Sequence, residues 1–138
     1  MKSLYLIGSL RNPQIADIAN AIEDETDVEI FASWAAAGPE ADDYWKEYEQ
    51  KRGKSYLEAL DGFAAKHVFE FDKYHLDRTD GAILVLPAGR SGHLELGYSL
   101  GSGKRGYVLL DDPDRWDVMY QFADGVYNTV EALILDLK

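Results

Sequence analysis

Gly81-Ala82-Ile83-Leu84-Val85-Leu86-Pro87-Ala88-Gly89-Arg90-Ser91-Gly92-His93-Leu94-Glu95-Leu96-Gly97 decides the fold. Residues 81–87 are apolar without polar alternation, the pattern of a central parallel strand covered on both faces. Ala88 to Gly92 reads as a tight loop, and His93 to Ser102 as a helix closed by Gly101 and Gly103. A second buried strand follows at Tyr107 to Leu110, stopped by Asp111-Asp112-Pro113. Strand, helix and strand in succession predict a parallel sheet with crossover helices.

The flanking sequence repeats this alternation. Leu4 to Ile7 is a short apolar run ending at Gly8-Ser9-Leu10-Arg11. Asn12-Pro13 has the form of a helix start, with Asn as N-cap and Pro at the first helical position. Ile15, Ile18 and Ile22 then form one apolar stripe, and Val28 to Trp34 reads as a strand. Ala35 to Asp43 reads as a loop around Gly38-Pro39, and Tyr44 to Arg52 as a helix. Ser55 to about Arg78 carries a helical stripe through Leu60, Ala64, Val68, Phe71 and Leu76. Val126 falls in a short strand, and Thr129 to Leu137 forms a last amphipathic helix. The expectation is one α/β domain over residues 1–138, with a mainly parallel five-stranded sheet and helices on both faces.

Composition narrows the function. The 138 residues carry a formal charge of −11, a field that repels a polyphosphate strand, so no nucleic-acid polymer is expected as partner. There is no cysteine, which removes disulfides, thiolate catalysis and zinc–thiolate sites. His67, His75 and His93 are too few and wrongly spaced for a zinc protease, so neither metal nor cofactor is expected. No apolar run reaches the roughly 18 residues of a membrane span, and the expected location is the cytoplasm. Gly101-Ser102-Gly103-Lys104-Arg105-Gly106 matches a dinucleotide fingerprint in letters only, because it lies after a helix and before a strand.

Three places carry unusual chemistry. Gly8-Ser9-Leu10-Arg11 leads into a helix N-terminus, where glycine admits a ligand, Ser9 and free N–H groups donate, and Arg11 adds charge. Those features suit a phosphate, and they equally describe a plain strand-to-helix turn with a solvated Arg. Ser91 is placed to be an N-cap, which sets Glu95 about one turn in, near the positive helix end. There its pKa is expected to fall, giving a fixed ionised carboxylate of the kind a retaining glycosidic reaction uses as nucleophile. A first-turn Glu that merely complements the dipole has the same signature. Asp72 shares one helix line with Val68 and Leu76, and a carboxylate on an apolar stripe calls for a partner or a purpose. Asp80 reads as a cap or turn residue.

Together these segments resemble the nucleoside 2-deoxyribosyltransferase-like superfamily, which includes the transferases and the 2′-deoxynucleoside 5′-phosphate N-hydrolases. Tyr5-Leu6-Ile7-Gly8-Ser9-Leu10-Arg11 is similar to the family's opening Tyr-x-x-Gly-Ser-x-Arg. Asp72, eight residues before Asp80, matches the spacing of its catalytic Asp, and Glu95-Leu96-Gly97-Tyr98 followed by Gly103-Lys104 resembles the segment bearing its nucleophile. Gly89 departs from the pattern: the transferases have Asp and the hydrolases Ser there, and Arg90 and Ser91 stand next to it to take over. Gly125, with Asn128 three residues on, stands near the place of an Asn that the transferases borrow from a neighbouring subunit.

The resemblance implies a Rossmann-like fold and a homo-oligomer, dimer or larger. It implies cleavage of the N-glycosidic bond of a (deoxy)nucleoside 5′-monophosphate through a covalent glycosyl-Glu95 intermediate. Glu95, Asp72 and Tyr5 are then catalytic, and Gly8, Ser9, Arg11, Gly89, Arg90 and Ser91 bind substrate. Base exchange on free deoxynucleosides is the alternative, and a non-enzymatic nucleotide sensor the other. The aromatic insert Trp34 to Tyr56 suits base stacking, core or dimer packing.

Overall fold

The computed structural model describes residues 1–138. Five strands form one all-parallel sheet: β1 (Ser3–Ile7), β2 (Glu29–Phe31), β3 (Gly81–Val85), β4 (Arg105–Leu109) and β5 (Gly125–Tyr127). Their spatial order is β2-β1-β3-β4-β5, a doubly wound Rossmann-like α/β arrangement. Parallel neighbours need crossovers, and six helices provide the covering layers: α1 (Ile15–Glu25), α2 (Ala41–Lys51), α3 (Tyr56–Leu60), α4 (Phe63–Arg78), α5 (Arg90–Gly101) and α6 (Val130–Leu137).

Strand alternation sends side chains to two cores. Leu4, Leu6, Ile83, Val85 and Leu109 pack against Ile15, Ile18 and Ile22 of α1 and Leu133 and Ile134 of α6. On the other face, Tyr5, Ile7, Phe31, Ala82, Leu84 and Val108 pack against Leu76 of α4 and Leu96 of α5. Both faces of β1 and β3 are therefore dry, which explains their unbroken apolar sequences; each fully buried Leu or Ile contributes about 1.5–3 kcal/mol. Gly81 opens the central strand for a steric reason: a Cβ there would lie 2.3 Å from the Arg105 carbonyl oxygen of β4. No helix is long and apolar enough to cross a membrane.

Several boundaries differ from expectation. The first helix starts at Ile15, because Asn12 Oδ1 accepts the Gln14 N–H in a local turn instead of capping a helix at Pro13. The second strand ends at Phe31, and Ser33–Ala37 coils into a 3₁₀ turn anchored by Trp34, whose indole Nε1 donates to the Leu6 carbonyl at 2.7 Å. Ala41 already begins α2. Ser55 to Arg78 is two helices, because Ser55 and Glu58 form a capping box on α3 and the chain turns at Asp61-Gly62 before α4. The stripe on α4 is not buried as a whole: Leu76 is its only buried residue, while Val68 and Phe71 are exposed.

Candidate active site

The order β2-β1-β3-β4-β5 reverses direction between β1 and β3, and in open α/β sheets ligands bind beyond the carboxyl ends of the strands at that point. Ser9 and Arg11 follow β1 and Gly89, Arg90 and Ser91 follow β3, and the structure separates the residues proposed from the sequence into groups.

The first group is a phenol and two carboxylates. Tyr5 projects from the middle of β1, buried beneath α4 and α5 with its ring 5.0 Å from that of Phe31. Asp72 comes from α4 and Glu95 from α5, both half-buried. The Tyr5 hydroxyl lies near enough to both carboxylates for each to act on its ionisation and for it to act on theirs. Burial, and then the two negative charges, raise the Tyr5 phenol far above its ordinary value, so it remains a donor at any physiological pH.

Burial also holds the Asp72 carboxyl above the usual range, with the Tyr5 hydroxyl pulling the other way. Glu95 is pushed up to about 7, first by burial and then by the charge of Asp72, against the opposing pull of Tyr5. No cation enters either balance. The expected lowering of the Glu95 pKa is thus overturned. The helix begins at Arg90, with Gly89 as N-cap, so Ser91 lies inside the first turn and makes no cap. Glu95 is then the sixth helical residue, beyond the first turn where the dipole acts, and desolvation dominates.

Two desolvated carboxylates sharing a phenol form a coupled pair that retains one proton near neutrality. Such a pair offers a nucleophile and an acid side by side.

The second group lies on the α1/α6 side of the sheet. A cleft of about 510 Å³ is lined by Ser9 and Arg11 from the end of β1, Leu86 and Pro87 from the end of β3, Asp111 after β4 and Asn128 after β5. Its size suits a nucleoside-sized ligand. Ser9 Oγ accepts the Arg11 N–H at 3.1 Å, and the exposed Arg11 guanidinium reaches Asp43 of α2 at 3.5 Å. None of Tyr5, Asp72 and Glu95 lines this cleft. Gly8 does not open a path to a ligand, since the space above it is filled by Ile15, whose Cδ1 would lie 2.6 Å from an added Cβ, and by the Trp34 ring. Gly89, Arg90 and Ser91 form an exposed third group at the start of α5.

Other sequence features resolve into structural roles. Asp80 accepts the N–H groups of Lys2 and Ser3 at 2.7 and 3.0 Å, which ties the start of β1 to β3. Lys104 Nζ donates to the Leu76 and Asp77 carbonyls, closing the C-terminus of α4, so Gly103-Lys104 is a helix clasp. Of the aromatic insert, Trp34 is packing for the core. Trp45 stands edge-on to Tyr56 with its indole N–H buried and unpartnered, and Tyr44 and Tyr48 are exposed.

Sequence reasoning passed over Asp111 as a lining residue, although its place at a strand's carboxyl end was a usable signal. It also missed the link from His93, whose ring nitrogens meet the Gly89 carbonyl and the Tyr120 hydroxyl at 2.8 and 2.9 Å. No periodicity marks such a contact. No protein-family model matches this chain, and no curated protein matches it.

Proposed function

We propose that this protein cleaves the N-glycosidic bond of a (deoxy)nucleoside 5′-monophosphate. One observation carries the reading: Tyr5, Asp72 and Glu95, from three separate elements, converge as a buried donor and two carboxylates with raised pKa values. A fixed structural ion pair would need a cation, and a pure binding site has no use for two uncompensated carboxylates. The resemblance to nucleoside 2-deoxyribosyltransferase-like proteins supplies the substrate class.

In this mechanism a Glu95 carboxylate oxygen attacks C1′ of the sugar. The C1′–N bond breaks, its electron pair goes to the base, and Asp72 delivers the proton that the departing base takes up. Positive charge developing at C1′ favours ionised Glu95 and so places the shared proton on Asp72. Tyr5 holds Glu95 by donating to it. Water then adds to C1′ and returns a proton to Asp72, which frees Glu95 and the sugar phosphate with retained configuration. This reading assigns the 5′-phosphate to Ser9, Arg11 and Ser91, of which Ser91 shares the helix of Glu95 while Ser9 and Arg11 line the neighbouring cleft; no residue of the mechanism calls for a metal. A homo-oligomer is the setting the resemblance implies.

Base exchange on free deoxynucleosides is the second reading, and it has its own support. Arg11 already faces Asp43, and Ser9 and Arg11 line a cleft that excludes the carboxylate pair.

The test is incubation with matched nucleosides and nucleoside monophosphates, with free base measured by chromatography. The proposal predicts base release from a monophosphate in water alone. Release only when a second base is supplied would favour transfer, and binding without any release would favour the sensor.

A further inference from the structure

The cleft beside the carboxylate pair runs on past the phosphate position. Its polar residues follow the order of the sheet: Ser9 and Arg11 after β1, Asp111 after β4 and Asn128 after β5, with Leu86 and Pro87 after β3 between them. Neighbouring strands lie about 4.8 Å apart, so Asp111 stands about 10 Å across the sheet from the end of β1, and Asn128 about 14 Å. Ile18, Val85, Leu109 and Val130 give this stretch an apolar wall. Tyr5, Asp72 and Glu95 line none of it. A nucleoside monophosphate with its phosphate at Ser9 and Arg11 and its sugar against Glu95 therefore leaves the β4–β5 half of the cleft unfilled.

Charge decides what fills that half. Arg11 and Asp111 are the only charged residues lining the cleft, and the Arg11 guanidinium already faces Asp43 at 3.5 Å. Asp111 takes part in none of the chain's seven ion pairs. A terminal phosphate carries about 1.5–2 negative charges at neutral pH, more than this set balances, whereas a phosphate that bridges to a second group carries one. Past the phosphate, a free carboxylate takes hydrogen-bond donors only, and the hydroxyls of a ribose are the donors a carboxylate takes in dinucleotide-binding sheets. The Asn128 amide adds a donor and an acceptor one strand further on. A pyrophosphate followed by a ribose spans the about 10 Å from the end of β1 to Asp111, which one phosphate does not.

We infer that the cleft holds a second ribose, joined through a pyrophosphate to the nucleotide whose N-glycosidic bond is cleaved, with Asp111 accepting its vicinal hydroxyls. The substrate class is then a pyrophosphate-linked dinucleotide, of which the nucleoside monophosphate is the minimal half. The cleavage step rests on the proposed function, whereas the occupant of the cleft is read by binding.

Calorimetry on Glu95→Gln, which does not consume the ligand, compares three sets of probes. They are the 2′-deoxynucleoside 5′-monophosphates, the same nucleotides joined by a pyrophosphate to adenosine, and those dinucleotides with 2′,3′-dideoxyadenosine in its place. The adenosine dinucleotide should bind roughly 10–150-fold more tightly than its dideoxy counterpart, the effect of hydroxyls on a charged acceptor, and more tightly than the monophosphate. Asp111→Asn in the same background, at an exposed position, should abolish the difference between the two dinucleotides. That comparison is a ratio, so the general effect of one lost charge on every anion cancels. Equal affinity of the two dinucleotides, no measurable binding, or a preference that survives in Asp111→Asn overturns the inference. Base release by the wild type is followed in parallel. Release from the monophosphate without a dinucleotide preference keeps the proposed function and removes this inference. The preference without release from any probe keeps the ribose in the cleft and removes the proposed function.

Discussion

Replacing Glu95 with Gln should stabilise the protein by an amount that grows as pH rises above about 4.5 and levels off above about 7. The Glu95 carboxyl sits at about 7 in the fold against an ordinary value of 4.5. A carboxyl raised by folding binds its proton more tightly in the native state. Below the unfolded value both states are protonated and Glu95 costs nothing; as pH rises between the two values the native state must ionise a desolvated group beside Asp72, and stability is lost. At about 1.4 kcal/mol per pH unit the full gap corresponds to about 3 kcal/mol, reduced toward about 2 by the solvent that reaches a half-buried group.

Gln keeps the volume and an acceptor for Tyr5 but never ionises. Urea denaturation followed by tryptophan fluorescence, for both proteins from about pH 4 to about pH 8, measures the difference. The stability of Glu95→Gln relative to wild type should climb by about 2–3 kcal/mol across that range, most of it between pH 4.5 and about 7. Parallel curves would refute the reasoning, since they would mean that burial and Asp72 do not act on Glu95.

Asp72→Asn should slow base release by roughly 10²–10⁴-fold in a steady-state assay, because the departing base loses its proton source. The same change removes the charge beside Glu95, so the Glu95 carboxyl should titrate lower in a ¹³C NMR experiment. Arg11→Ala should weaken binding of a nucleoside monophosphate by roughly 10–150-fold, from about 1.5–3 kcal/mol for a charged hydrogen bond, and leave the nucleoside nearly unchanged by calorimetry. Equal losses for both ligands would reduce Arg11 to its contact with Asp43.

The fold was legible because burial on both faces leaves a simple trace. Gly81 to Val85 and Leu4 to Ile7 are apolar at every position but Tyr5, and turns and helices between such runs leave little choice of topology. What escaped was set by single side chains. Asn12 turned toward its own backbone, Trp34 found the Leu6 carbonyl, and Asp61-Gly62 broke one periodic stripe into two helices. The α4 stripe shows a second limit, since periodicity marks a face without saying what covers it.

The candidate site was legible as a set of residues and illegible as electrostatics. Asp72 and Glu95 stood out as carboxylates in apolar settings. The pKa of Glu95 was misread because helix position is written in the sequence, whereas the burial and the Asp72 charge that dominate it arise only when α4 and α5 cover β1. The separation of Ser9 and Arg11 from the carboxylates likewise depends on which side of the sheet each loop leaves.

The central claim is that Glu95 forms a covalent bond to the sugar. Intact-protein mass spectrometry tests it with a nucleotide whose sugar carries an electron-withdrawing 2′ substituent, which slows release of the intermediate. The account predicts a mass increase of one sugar phosphate on wild type, mapped by peptide digestion to Glu95, and no increase in Glu95→Gln. An adduct on another residue would contradict it, as would base release by Glu95→Gln at the wild-type rate.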